Sequence, residues 1–459
     1  MPPDTEPLLG VRHRTYRRRW FILLVTCILA CSNAMNWLCF APIASETARY
    51  FKISTDQVNW LSMVYLIVGV PFGFGTTWLL DTLGIKVALI LSSWLNMAGC
   101  MVQFFSVALF IPKDNWKFPV LMIGQTLSAL AQPLVLFCPT KLAALWFPEQ
   151  QRATANMISS MANPLGILFA NILSPLLVTR QSSFATLLGV YSVPAVIACL
   201  FASVGIRTKV PPTPPSLGAF NSTSEPFLTG MRMLLKNKAY LILMTMFGGG
   251  IGIFTAFSAL LQQILCVKGY SDSFAGLCGA LFIVCGIPAA FFLGLYVDRT
   301  KNFVESTKIN FCLTALASIA FALVSHLRGQ FYALPIVCSL FGLFGFSIYP
   351  VSMELGVECS YPVGEATSAG FIFISGQLQG ALFIALFRAL AQPVKTDGLF
   401  STCEVEPGKV LDWTVSTFVM AGICTLAACC FVIFFHTEYK RMNAEENDKN
   451  INGDKPETG

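Results

Sequence analysis

The chain predicts an all-α membrane protein, twelve transmembrane helices in two six-helix bundles, on three observations. Of its 459 residues, 55% are hydrophobic and only 12% charged, which leaves too little polar surface to coat a soluble globule of that size. Twelve apolar stretches run along it, each near the ~20 residues that cross a bilayer. An acidic segment also recurs, as Trp78-Leu79-Leu80-Asp81-Thr82-Leu83-Gly84-Ile85-Lys86 and Gly294-Leu295-Tyr296-Val297-Asp298-Arg299-Thr300-Lys301. The two aspartates are 298 − 81 = 217 residues apart, each in a loop just past the second apolar stretch of its half, as a duplicated six-helix unit requires.

The elements follow in order. A tail at 1–19 carries Arg12, Arg14, Arg17, Arg18 and Arg19. The apolar run after it has no small-residue cleavage site, so the helix at 20–43 is expected to be an anchor and not a signal peptide. Apolar length places further spans at 58–79, 87–110, 118–146, 152–179 and 184–206, completing a first bundle at 20–206. Residues 207–238 break the pattern. Val210-Pro211-Pro212-Thr213-Pro214-Pro215 reads as an extended linker, and Met231-Arg232-Met233-Leu234-Leu235-Lys236-Asn237-Lys238 as a short basic amphipathic helix on the membrane surface. The second bundle, 239–435, has spans at 239–266, 272–297, 308–326, 331–354, 363–392 and 411–435, and a tail at 436–459 closes the chain. Tyr361-Pro362-Val363-Gly364-Glu365 echoes Phe147-Pro148-Glu149, each between the fourth and fifth helices of its half.

Sidedness follows from Lys and Arg. With the N-terminus inside, the inner segments hold 20 and the outer segments 10 of the 30, so both tails are expected in the cytosol. That asymmetry accounts for the formal charge of +6 without a nucleic-acid partner. The sequon Asn221-Ser222-Thr223 falls on the cytosolic side, where it is not glycosylated. Of 16 cysteines, fifteen lie in or at the ends of apolar helices and behave as small hydrophobes; no metal-ligand spacing appears. Cys403, in an acidic outer loop, is either a free thiol or the partner of Cys266.

At this point the chain resembles a family. The first acidic segment is similar to the major facilitator pattern Gly-x-x-x-Asp-Arg-x-Gly-Arg, from which Thr77, Thr82 and Ile85 depart, and the second keeps Gly294, Asp298 and Arg299. Asn33-Ala34-Met35-Asn36-Trp37, Asn59-Trp60-Leu61-Ser62-Met63-Val64-Tyr65, Tyr361-Pro362-Val363-Gly364-Glu365 and Cys138-Pro139-Thr140-Lys141 look like the feline leukemia virus subgroup C receptor-related transporters, solute carrier family forty-nine. The resemblance covers all twelve helices and implies two halves that rock around a midplane site.

Candidate residues fall into two sets. A carboxylate at a helix end can accept N–H bonds from a neighbouring helix start and pair with arginine. The family implies such a gate for Asp81 with Arg152 and for Asp298 with Arg299; solvated loop charges are the alternative. Glu354 and Glu358, four apart on one face, and Lys141 lie where the same gate would be. For the solute, the resemblance gives Trp37 half of an aromatic cage, since an indole face attracts an organic cation by about 2 kcal/mol or more when desolvated. The relatives' tyrosine in helix 7 is matched here by Thr255, flanked by Phe254 and Phe257. Because one residue turns a helix by about 100°, neither phenylalanine is an automatic replacement, and choline is in doubt. Asn33 and Asn36 precede Trp37, and Gln132 and Gln377 match family glutamines that face the solute; helix-packing amides are the other reading.

The remaining signals exclude more than they assign. His13, His326 and His436 lie near membrane surfaces, so haem passage lacks its usual axial ligand, and Pro139 is read as a bend in helix 4, with a Cys138-Pro139 haem motif as the alternative. The glycine runs at 248–252 and 69–73 lack a following Gly-Lys-Ser/Thr, so no ATPase, cofactor or catalytic constellation is read. Asp4-Thr5-Glu6-Pro7-Leu8-Leu9 fits the dileucine pattern of clathrin adaptors, which bears on plasma versus endolysosomal membrane. The expected function is alternating-access carriage of a small organic solute, a cationic or amphipathic amine by the character of the cavity residues. A porphyrin carrier, from resemblance only, and a non-transporting receptor on the same fold are the alternatives.

Overall fold

The structure, a computed structural model, describes residues 15–107, 116–178, 183–213, 227–300, 302–394 and 410–440. Among the described residues, twelve helices are long and apolar enough to span a membrane: α1 (Arg18–Phe51), α2 (Thr55–Thr82), α3 (Ile85–Val107), α4 (Lys117–Trp146), α5 (Glu149–Leu177), α6 (Phe184–Gly205), α7 (Lys238–Cys266), α8 (Asp272–Thr300), α9 (Phe303–His326), α10 (Ala333–Ser360), α11 (Glu365–Leu390) and α12 (Thr414–Phe434).

Local chemistry sets where these helices bend and stop. In α1 the regular helix ends at Leu38, a 3₁₀ turn covers Ala41–Ile43 and a second helical piece runs Ala44–Phe51. Pro42 has no N–H to give the Leu38 carbonyl, so the ladder breaks there. Lys52 closes it in the left-handed conformation at φ 56°. Helix α4 breaks at Phe137, two residues before Pro139, for the same reason. Ser54 and Gln57 form a capping box at the start of α2, satisfying two of its orphan N–H groups.

The recurring aspartates are not in loops. Helix α2 runs on through Thr82 and α8 through Thr300, so Asp81 and Asp298 lie in the last turns. Nothing between Trp78 and Thr82 breaks a helix, and the chain turns only at Gly84, at φ 85°. The side chains of Asp81, Arg152 and Asp298 lie outside what the structure describes, as do His13, Cys403 and the dileucine segment.

Packing repeats between the halves. Helix α1 packs on α5, α2 on α4, and α3 on both α4 and α6; correspondingly α7 packs on α11, α8 on α10, and α9 on both α10 and α12. The halves meet where α2 lies on α11 and α5 on α8, two contacts that the repeat interchanges. Small residues permit the closest approaches: a methyl at Gly342 would overlap the Phe282 carbonyl oxygen, and one at Gly99 would overlap the Ser128 hydroxyl.

The interiors of the two bundles differ. The first is polar: Asn33 Nδ2 donates to Asn96 Oδ1 at 3.0 Å and to the Ser128 carbonyl at 2.9 Å, Asn36 Nδ2 to Ser128 Oγ at 3.0 Å, and Gln103 Nε2 to Gln125 Oε1 at 2.8 Å. The second is aromatic, with Phe257 against Phe282, Phe321 and Phe341 at ring separations of 4.9, 5.0 and 5.2 Å.

The helix expected in the linker is present at Phe227–Lys236. It buries Leu234 and exposes Leu228 and Leu235. Asn237 then caps α7 by accepting from the Tyr240 N–H at 3.2 Å and donates to the Cys359 carbonyl at 2.7 Å. Cys266, at the end of α7, is disulfide-bonded; fourteen other described cysteines are free.

The glycine contacts give a direct test. Gly342→Ala should cost about 1–3 kcal/mol by overpacking and lower the melting temperature of the purified protein. Gly250→Ala, where an added Cβ meets nothing within 4 Å, should not.

Candidate solute cavity

Where α1, α4 and α5 of the first bundle face α7, α10 and α11 of the second, the structure holds a cavity of about 330 Å³. That is in the size range of sites that bury small organic ligands. The first bundle contributes Trp37, Gln132, Ser160 and Asn163; the second contributes Phe254, Thr255, Tyr349 and Gln377.

Each of these side chains has a local reason to be there. Trp37 is 4% exposed, and its indole N–H donates to the Ser62 carbonyl of α2 at 3.4 Å. Its only polar atom is thereby engaged, and the ring surface is what it offers the cavity. Gln377 Nε2 donates to Gln132 Oε1 at 3.3 Å, joining the halves at mid-depth. Gln377 Oε1 is buried and has no partner. An acceptor held out of water without a donor costs roughly 1–3 kcal/mol, so this atom favours any guest that carries an N–H or O–H.

The flanking phenylalanines separate as the helical turn between them requires. Phe254 lines the cavity, stacked on Phe282 at 5.5 Å and edge-on to Phe346 at 4.9 Å. Phe257 points into the aromatic interior, and Thr255, 7% exposed, lines the wall beside Phe254. Asn33 is corrected: with Asn36 it belongs to the buried amide network of the first bundle and is not among the lining residues. Both amides face α3 and α4, away from the other half, because Ser128 and Asn96 are the donors and acceptors within their reach.

Sequence reasoning missed Ser160, Asn163 and Tyr349. A signal for the first two existed. Pro164 sits inside α5 and cannot donate to the Ser160 carbonyl, and freed backbone within a membrane span is tolerated where protein or a cavity receives it.

The two faces of the molecule are closed differently. On the face away from the chain ends, Asp56 of α2 and Arg388 of α11 form a two-bond ion pair. Asn59 and Gln263 exchange amide hydrogen bonds at 2.5 and 3.5 Å, and Gln262 Nε2 donates to Ser45 Oγ at 3.1 Å. All three tie the first bundle to the second. On the terminal face a smaller cavity of about 60 Å³ shares Leu136, Ser160, Tyr349 and Phe373 with the main one. It continues past Gly294 to Glu354. Glu358 is buried at 5% exposure, Arg299 is exposed, and Lys141 Nζ donates to the Leu80 carbonyl at 2.6 Å, covering the negative end of α2.

Comparison with known proteins agrees with this architecture. The model of the Major Facilitator Superfamily matches residues 26–384. Solute carrier family 49 member A3 of Xenopus tropicalis is 57% identical, over 95% of this chain and 90% of its own length, and its Danio rerio counterpart is 56% identical over 96% and 92%. The choline/ethanolamine transporter flvcr2a of Danio rerio is 30% identical over 81% and 80%. Among solved structures, a D-xylose–proton symporter superposes with a TM-score of 0.68 at 13% identity, covering 92% of this chain and 98% of its own. The chain belongs to the Major Facilitator Superfamily and, within it, to solute carrier family 49.

Proposed function

We propose that the protein carries a small organic amine across the bilayer by alternating access, with Trp37, Gln132 and Gln377 at the site. The observation that carries this reading is one cavity walled by both bundles, lined by the Trp37 indole, Gln132 and Gln377, of which Gln377 Oε1 lacks a donor. An aromatic face attracts a cation without a buried carboxylate, and Gln377 Oε1 supplies the hydrogen bond that an amine or its hydroxyl can fill. Two relatives named as choline/ethanolamine transporters, at 30% identity, support the same class. Thr255 in place of the relatives' tyrosine favours an amine other than choline.

In this reading the Asp56–Arg388 and Asn59–Gln263 ties close the outer face, and the small cavity toward Glu354 is the inward route. Asp81, Arg152, Asp298 and Arg299, at the terminal-face ends of their helices, with Glu354 and Glu358 close by, form the inner gate, and the Lys and Arg excess places that face in the cytosol.

A metabolite comparison between cells with and without the protein, followed by uptake of labelled ethanolamine and choline, tests the substrate class. Trp37→Ala should lower kcat/KM about thirtyfold, the equivalent of ~2 kcal/mol of cation–π attraction. Gln377→Ala should lower it less; unchanged uptake in both at equal surface expression would remove the site.

The gate makes a separate prediction. Asn59 is buried, so Asn59→Leu strands the Gln263 amide and should favour outward opening by ~1–3 kcal/mol. Asp56→Asn, in a pair whose side chains are 48% and 35% exposed, should shift it by less than ~1 kcal/mol. Labelling of Gln132→Cys by an impermeant thiol reagent added outside should accelerate in that order.

A further inference from the structure

The cavity is not symmetric about the repeat. In the first bundle the peripheral helices α3 and α6 contribute no lining residue among those described, whereas their counterparts α9 and α12 contribute Thr314, Ala315, Cys424, Leu426, Ala427 and Cys430. The cause is in the interiors already described. Between α3 and α4 the space is filled by amides and by backbones in contact at Gly99 and Gly124. Between α9 and α10 a Cβ on Gly345 would be 3.8 Å from Thr314 and meet nothing else within 4 Å, and the space stays open.

This arm is apolar and reaches the outside of the bundle. Phe311, Phe346 and Ile423 form its walls. Two of its polar groups bond within the protein: Thr314 Oγ1 donates to the Asn310 carbonyl at 2.7 Å, and Gln379 Nε2 to the Thr245 carbonyl at 3.1 Å. At its far end Leu426 of α12 is 65% exposed, and Thr245 and Gly250 of α7 are also exposed while lining the same cavity. Gly250 and Leu426 lie near the middle of their helices, at a depth where the surroundings are hydrocarbon. An apolar channel from a polar binding point to a bilayer-facing surface matches a guest with a polar head and an apolar tail.

We infer that the solute is an amphipathic single-chain amine whose head sits at Trp37 and Gln377. Its tail lies in the Phe311–Phe346 arm and emerges between α7 and α12 into the bilayer. This rests on the proposed amine site and adds the tail and the lateral opening to it.

Photolabelling of the full-length protein in lipid nanodiscs tests it with two probes, dodecylamine and propylamine, each carrying a terminal diazirine. The long probe should place adducts on 311–315, 345–349 and 423–430, and excess unlabelled dodecylamine should remove them. Gly345→Leu, which fills the arm, should abolish those adducts and leave short-probe adducts around Trp37 intact. Leu426→Trp, at an exposed position, should reduce them without depending on core packing. Long-probe adducts spread over lipid-facing helices and unaltered by either variant would mean bilayer partitioning only and overturn the arm. Loss of short-probe labelling at Trp37 in the unmodified protein would instead overturn the amine site on which the arm depends.

Discussion

In hydrocarbon there is no water to satisfy a polar group, so every N–H, C=O and side-chain amide in a span must find its partner within the protein. Much of this structure follows from that constraint. It makes the spans helical, has Ser174 Oγ donate to the Cys39 carbonyl at the break before Pro42, and gathers Asn33, Asn36, Asn96, Gln103 and Gln125 into one network. Among the described residues the amide oxygens of Asn33, Asn36, Gln103, Gln262 and Gln377 are buried without a partner, and Gln377 is the one of the five whose residue lines the main cavity, where the halves meet.

The same constraint divides the labour between the bundles. The first is cross-linked by amides, and its α3 and α6 contribute no residue to the main cavity among those described. The second is packed by phenylalanine rings, which interact without directional bonds and leave space between α9, α10 and α12. The bundles meet mainly through α2 on α11 and α5 on α8, with polar ties on one face and the Gln377–Gln132 bond at mid-depth.

Fold class was legible because it depends on quantities that sum along the chain: composition, apolar length and the repeat spacing. The aspartate loops were misplaced because an acidic residue after an apolar run looks like a helix end, while the backbone continues until Gly84. Within the site, Trp37, Gln132, Phe254, Thr255 and Gln377 could be named from sequence and line one cavity. Asn33 could not be separated from them, since the face it occupies is decided by Asn96 and Ser128 on other helices. The ties on the face away from the chain ends were invisible for a similar reason: Asp56 and Arg388 are 332 residues apart, and no local pattern links them.

The central claim is that the two bundles close one face while the cavity between them holds the solute. Joining Asn59→Cys to Gln263→Cys in the full-length protein tests it most directly, with each single variant as control. The account predicts that oxidation links the pair, stops uptake of labelled ethanolamine, and that reductant restores it. A pair that does not link, or that links and leaves uptake unchanged, would contradict it.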